Sequence, residues 1–121
     1  MNILLWAGVM LLGGCGAVLR FLVDGAVGSR VRKAFPYGTL SVNITGAVVL
    51  GLVTGLALDH DAALLAGTAV VGSYTTFSTW IFETQRLTEE RQLPTAALNI
   101  VVSVLLGILA AAAGQWIGGR L

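Results

Sequence analysis

Charge is the first thing this sequence lacks. Only 11% of its 121 residues are Asp, Glu, Lys or Arg, against 56% apolar, where a soluble domain carries roughly 25% charge. So few charges cannot cover a soluble globule, and a mean hydropathy of +0.88 places the chain among integral membrane proteins. The length suits one domain, residues 1–121. Basic stretches are missing too. The net charge is +1 and no run of Lys and Arg is interleaved with aromatics, which excludes a nucleic-acid groove. One cysteine, Cys15, permits no intramolecular disulfide, and one histidine, His60, permits no Cys/His metal spacing. His60 sits in a turn between two aspartates and offers nothing to an enzyme. "LLGGC", ending at Cys15, loosely resembles a lipoprotein cleavage site. No Lys or Arg precedes it, so the basic n-region of such a signal is absent. Cys15 reads instead as a small residue at a helix contact.

What is present is apolar sequence in span-sized blocks. A spanning helix needs about 20 mostly apolar residues. Four such blocks stand out, at about residues 3–23, 38–58, 62–85 and 95–117. Between the first two lies "DGAVGSRVRKAFPYG", read as a loop with room for a short surface helix. "DHD", residues 59–61, closes the second span as a tight turn. "RLTEERQLP" separates the last two, and Pro94 suits the first turn of a helix. Four spans leave both termini on one side. The side with loops one–two and three–four holds Arg30, Arg32, Lys33, Arg86 and Arg91; the other holds only Arg120. The positive-inside rule then predicts both termini outside.

Glycine is plentiful, 16 in all. "GLVTG", Gly51 to Gly55, is a GxxxG pattern, and Gly107 with Ala111 adds another small surface. Small residues let helices approach closely in lipid. Two readings stay open for any one pair: packing inside one bundle, or a seam between copies. Four short helices enclose hardly any interior, so the expectation is an oligomer, most simply a two-fold dimer.

Polar residues inside the spans call for an explanation. Arg20 lies near the end of the first span, with Asp24 four residues on along the same face. Such a charge faces protein or water, or snorkels to the interface. Thr39 and Asn43 stand i, i+4 on the second span. Asn99, Ser103 and Gly107 form a stripe on the fourth. One such residue is often glue between helices; stripes on several spans favour a lined pathway. The densest block is "GSYTTFSTW", Gly72 to Trp80. A single Ser or Thr can bond back to the preceding turn and leave the helix intact. A run this dense, led by Gly72, predicts a break near residues 72–76. Broken backbone at that depth survives only inside protein or beside water. Its free carbonyls suit a cation, and its free amides suit an anion. Beyond the break Phe77 and Trp80 stand three apart on one face, with Ser78 and Thr79 between them. Ring edges are electropositive and can attract a small anion without trapping it.

These residues resemble the Fluc/CrcB family of fluoride channels over essentially the whole chain. "GCGAVLRF" is similar to the family's first-span motif, "PYGTLSVNITGAVVLG" to its second-span signature, and "GSYTTFSTW" to its "TTFSTF" element. The resemblance implies an all-α integral membrane protein with four transmembrane helices, the third broken near its middle. It implies an antiparallel, inverted dual-topology dimer with two anion pathways. A structural sodium ion at the dimer centre is implied, held by the backbone carbonyls of Gly72 and Thr75. It also implies that Asn43, Phe77, Ser78 and Trp80 line the anion pathway and that Arg20 is the family's arginine; the polar stripes and the hydroxyl block add Thr39, Thr79 and Ser103 in support of that pathway. The function implied is passive fluoride export across the bacterial inner membrane, which lowers fluoride toxicity.

Two departures follow. Trp80 stands where the family usually has phenylalanine, so conduction is expected to be slower or to run past a rearranged ring. "GSY" replaces a more glycine-rich lead into the break. The loop charge bias, about five to one, suggests one preferred orientation and hence an oppositely oriented paralogue as partner, while the resemblance to the family's antiparallel dimers keeps the chain itself as the other. A small multidrug-type exporter is the rival transporter. It would want a carboxylate at mid-depth, and Glu83 lies near a span end. A non-conducting assembly subunit would explain the glycines but not the polar stripes.

Overall fold

The computed structural model describes residues 2–121, and it is all-helical. Helix α1 spans Ile3–Arg30. Asn2 caps its start, its side-chain oxygen accepting from the Leu5 amide at 2.8 Å. The helix does not stop near residue 23. It continues through "DGAVGSR", where a loop was expected, because neither Gly25 nor Gly28 breaks it and the first proline is Pro36. Its end is closed by the Val31 amide bonding to Val27 O at 2.9 Å and by Arg32 Nε donating to Ser29 O at 3.2 Å. Arg30 in the last turn suits the negative end of the helix dipole.

Helix α2 spans Tyr37–Leu56 and ends on Ala57 in the left-handed region, φ 52°. Asp59 then caps the next element, accepting from the Ala62 amide at 2.8 Å. His60 is therefore the first residue of a helix rather than part of the turn. Helix α3 runs over residues 60–74 in three registers. His60–Ala63 is α-helical, Leu64–Val71 is wound as a π-helix, and Gly72–Tyr74 returns to α. Wide π turns are rare and recur at functional sites. Thr75 is extended, φ −79° and ψ 161°. Helix α4 follows at Ser78–Glu89 and helix α5 at Leu93–Gly119. The break expected near residues 72–76 is present but sits later. Gly72 is still helical, and the chain leaves the helix at Thr75.

Three helices, α1, α2 and α5, are each long and apolar enough to cross a membrane. The tightest packing joins α2 to α5. A methyl group at Gly51 would meet Ala111 O, one at Gly55 would meet Gln115 O, one at Gly114 would meet Val48 O, and one at Gly118 would meet Leu52 O. Of the two readings of "GLVTG", packing within one bundle is the one realised. Gly16 lets α1 lie against α3, beside Val70 O and Ser73 Oγ. Gly107 and Gly14 meet nothing, and Cys15 is exposed rather than at a contact within the chain.

The surface area is 7661 Å², against about 6,200 Å² for a compact soluble domain of this mass. Val42, Leu87, Asn99 and Thr39 are the largest fully buried side chains. Two of these four are polar, so the centre of the molecule is built around hydrogen bonds. Large apolar side chains such as Phe21, Met10 and Leu109 lie outside, 65% or more exposed. That inversion is what lipid allows, since lipid tails are as apolar as Leu.

Candidate functional site: a clamped helix break

The hydroxyl block divides at the break. Ser73 Oγ donates back to Ala69 O at 2.6 Å and Thr75 Oγ1 to Val71 O at 3.1 Å. Both close the end of α3, as back-bonding hydroxyls do. Thr76 works in the other direction: its Oγ1 accepts from the Thr79 amide at 3.2 Å and caps the start of α4. One hydroxyl ends a helix and the next begins another.

The break is held from outside by Asn43. Its Nδ2 donates to Thr76 O at 2.8 Å, and the Thr76 N–H donates to Asn43 Oδ1 at 2.8 Å. A primary amide copies the peptide unit here and satisfies both backbone groups of the non-helical residue. An unsatisfied buried group costs about 1–3 kcal/mol, so this single side chain makes the break affordable in an apolar setting. One turn earlier on the same face of α2, Thr39 Oγ1 donates to the Glu83 carboxylate. Thr39 and Asn43 thus read Glu83 and Thr76, seven residues apart, across the helix pair. The i, i+4 spacing on α2 was visible in the sequence; the matching i, i+7 spacing on the far side was the signal that would have found its partners.

Carbonyls and amides are left over at the break. Among the described residues no hydrogen bond reaches the carbonyls of Gly72 or Thr75, and none leaves the amides of Phe77 or Ser78. Gly72 is exposed on the surface of the chain. Phe77 is 71% exposed and meets Trp80 edge-on, with centroids 5.7 Å apart and planes at 69°. Trp80 Nε1 donates to Asn99 O at 3.1 Å. Ser78 is exposed in the first turn of α4. No group of three or more His, Cys, Asp or Glu side chains is placed to hold a metal among the described residues.

Three clefts succeed one another through shared walls. The outer one, about 420 Å³, is lined by Arg32, Lys33 and Arg86 together with Asp24 and Glu83. Asp24 also lines the second, about 180 Å³, with Arg20, Thr39, Thr76 and Thr79. Thr76 then lines the third, about 290 Å³, with Asn43, Phe77 and Trp80. The Asn43–Thr76 clamp is thus the partition between a charged polar cleft and an aromatic one. Arg20 lines the polar cleft alongside Asp24. Ser78 lines none of the three clefts. Ser103 lies apart on α5, its hydroxyl buried and without a partner. Asn99 was seen only as part of a stripe; the structure buries it fully and binds its amide nitrogen to Thr84 Oγ1 at 2.8 Å.

The fold and the clamped break define a multi-pass helical membrane protein in which a polar cleft and an aromatic one meet at the break. Residues 7–115 match the family described as "CrcB-like protein, Camphor Resistance (CrcB)", and the chain belongs to that family. It is similar to the "Fluoride-specific ion channel FluC 2" of Mycobacterium tuberculosis, 64% identical over 117 residues, 97% of this chain and 93% of the relative. It is 64% identical over 114 residues to the protein of that name from Mycolicibacterium paratuberculosis, covering 94% and 93%. It is 45% identical over 115 residues to "Fluoride-specific ion channel FluC 1" of Leifsonia xyli subsp. xyli, covering 92% and 84%. Such a chain is a multi-pass protein of the bacterial plasma membrane.

Proposed function

We propose that this protein is a fluoride-selective channel and not an enzyme. The observation that carries the reading is the helix break held by Asn43, with the edge-on pair of Phe77 and Trp80 on one side and the Arg20 cleft on the other. Family membership and the relatives' names support it.

Fluoride is small and strongly hydrated, so it crosses only where donors replace its water. The clefts lead from a basic outer rim toward Thr39, Thr76 and Thr79, then past the clamp to Phe77 and Trp80. Hydroxyls, amides and ring edges attract an anion without holding it, and conduction needs exit as much as entry. Asn43 spends its oxygen and one amide hydrogen on Thr76 and keeps a second hydrogen for the anion. Arg20, at the edge of the path, draws anions in.

The chain crosses the membrane four times in this reading. Helices α3 and α4 together form the interrupted third crossing, and residues 1–121 make a single transmembrane domain. Two copies of opposite orientation, or this chain and an inverted paralogue, pack with their breaks facing. The carbonyls of Gly72 and Thr75, which lack donors, would hold a sodium ion between the subunits. Bound there, the ion supplies a fixed positive charge that ties two helix ends together. Ser78 and Ser103 join the path only in that assembly.

Efflux from liposomes carrying this protein alone tests the reading. Potassium fluoride should leave on addition of a potassium ionophore while potassium chloride stays. Equal loss of both salts would sink selectivity. Loss of neither, restored by co-expressing an inverted paralogue, would show that the partner is the paralogue.

A further inference from the structure

Trp80 belongs to a closed ring of hydrogen bonds that its aromatic role does not require. Its indole Nε1 donates to the backbone carbonyl of Asn99. The Asn99 side-chain Nδ2 donates to Thr84 Oγ1. Thr84 Oγ1 donates in turn to the backbone carbonyl of Trp80 at 2.9 Å. The circuit runs from the Trp80 ring to α5 and back to the Trp80 backbone on α4. Asn99 is 1% exposed and Thr84 9%. Reaching Thr84 leaves Asn99 Oδ1 buried with no partner. An apolar residue would bury there without that orphan, so the amide nitrogen is what the position uses.

We propose that Asn99 and Thr84 are positioning residues that lock the Trp80 ring as a fixed wall of the aromatic cleft. The lock has a chemical consequence. A free indole N–H is a strong donor and would hold a fluoride ion, whereas here it is occupied and only the ring presents itself to the cleft. The inference rests on the reading of Phe77 and Trp80 as pathway walls. It adds that this chain tolerates a bulky donor ring there because α5 takes the donor away.

The test uses full-length protein in liposomes, in a background carrying Trp6→Phe and Trp116→Phe. Both of those rings are exposed, 55% and 61%, so the remaining emission belongs to Trp80. Thr84→Val and Asn99→Leu should each lower Trp80 fluorescence anisotropy and slow fluoride efflux by about tenfold, the worth of one or two such bonds. Thr84→Ser keeps the hydroxyl and should restore both readouts. With Trp80→Phe already in place, Thr84→Val should change efflux little, because no N–H is left to hold. Unchanged anisotropy in Thr84→Val and Asn99→Leu would overturn the lock. So would an equal loss of efflux from Thr84→Val with or without the indole, since that would mark a merely structural role. If the background protein passes no fluoride either alone or with an inverted paralogue, the pathway reading fails, while the anisotropy still decides whether the ring is held.

Discussion

The α2–α5 seam and the α3–α4 break are both places where backbone comes close to its surroundings, and they are held in opposite ways. At the seam, four glycines remove side chains so that carbonyls of one helix meet Cα atoms of the other. Every backbone group there is already bonded within its own helix, so shape alone holds the contact. At the break, the helix ladder is interrupted, and the polar groups of Thr76 depend on one amide from another helix. A dry contact is spoiled by adding atoms. A polar one is spoiled by removing them.

The largest expected effect comes from adding atoms at the seam. Gly114→Leu places a side chain against Val48 O, which cannot withdraw without moving α2. Overpacking costs about 1–3 kcal/mol, and more where rigid backbone is met, so the variant should yield little or no folded protein by gel filtration in mild detergent. Normal recovery would show that the seam is looser than drawn.

Asn43→Ala comes next. It leaves the Thr76 N–H and C=O without partners, at about 1–3 kcal/mol each. Folded protein should persist with lowered thermal stability, and fluoride efflux should fall to background. Asn43→Asp keeps an acceptor for the Thr76 amide but loses the donor to its carbonyl, and should fall between. If Asn43→Ala is as stable as the parent, the clamp is not what holds the break.

Phe77→Ile tests the exposed half of the same region. The ring is 71% exposed, so stability should change little, within about 0.5 kcal/mol for a surface site, while efflux should be abolished. Unchanged efflux would remove Phe77 from the pathway. The smallest effect is expected at Gly107→Ala. Nothing lies within reach of an added methyl, so stability and efflux of the chain alone should both be preserved. A loss of dimer with Gly107→Ala would place the partner subunit there.

Much of this was legible in the sequence, and the reasons are specific. The three uninterrupted helices follow from runs of apolar residues, which have few alternatives in lipid. The break was legible in the crowded hydroxyls, although Gly72, expected to lead it, stays helical and the chain leaves only at Thr75. Ser73 and Thr75 could each have bonded forward or back, and only the position of Asn43 decides that the chain leaves at Thr75. The first loop was read seven residues too early, because Asp24, Gly25 and Gly28 look like loop residues. Asp24 and the glycines instead serve a helix that projects past the apolar zone beside Gly38. Trp80 was legible as an odd ring but not as a tethered one, since its acceptor is a backbone carbonyl 19 residues away.

Composition and order by themselves determined that the chain lives in a membrane, how its apolar helices are spaced, and where a helix must fail. These are local matters, decided by hydropathy over about 20 residues and by side chains that compete with their own backbone. Tertiary structure alone decided which asparagine clamps the break and which one ties the indole. It also decided which glycines form the seam and which meet nothing within the chain. Those choices depend on what the neighbouring helix offers at a given height, and helical spacing names the face of a residue without naming what stands opposite.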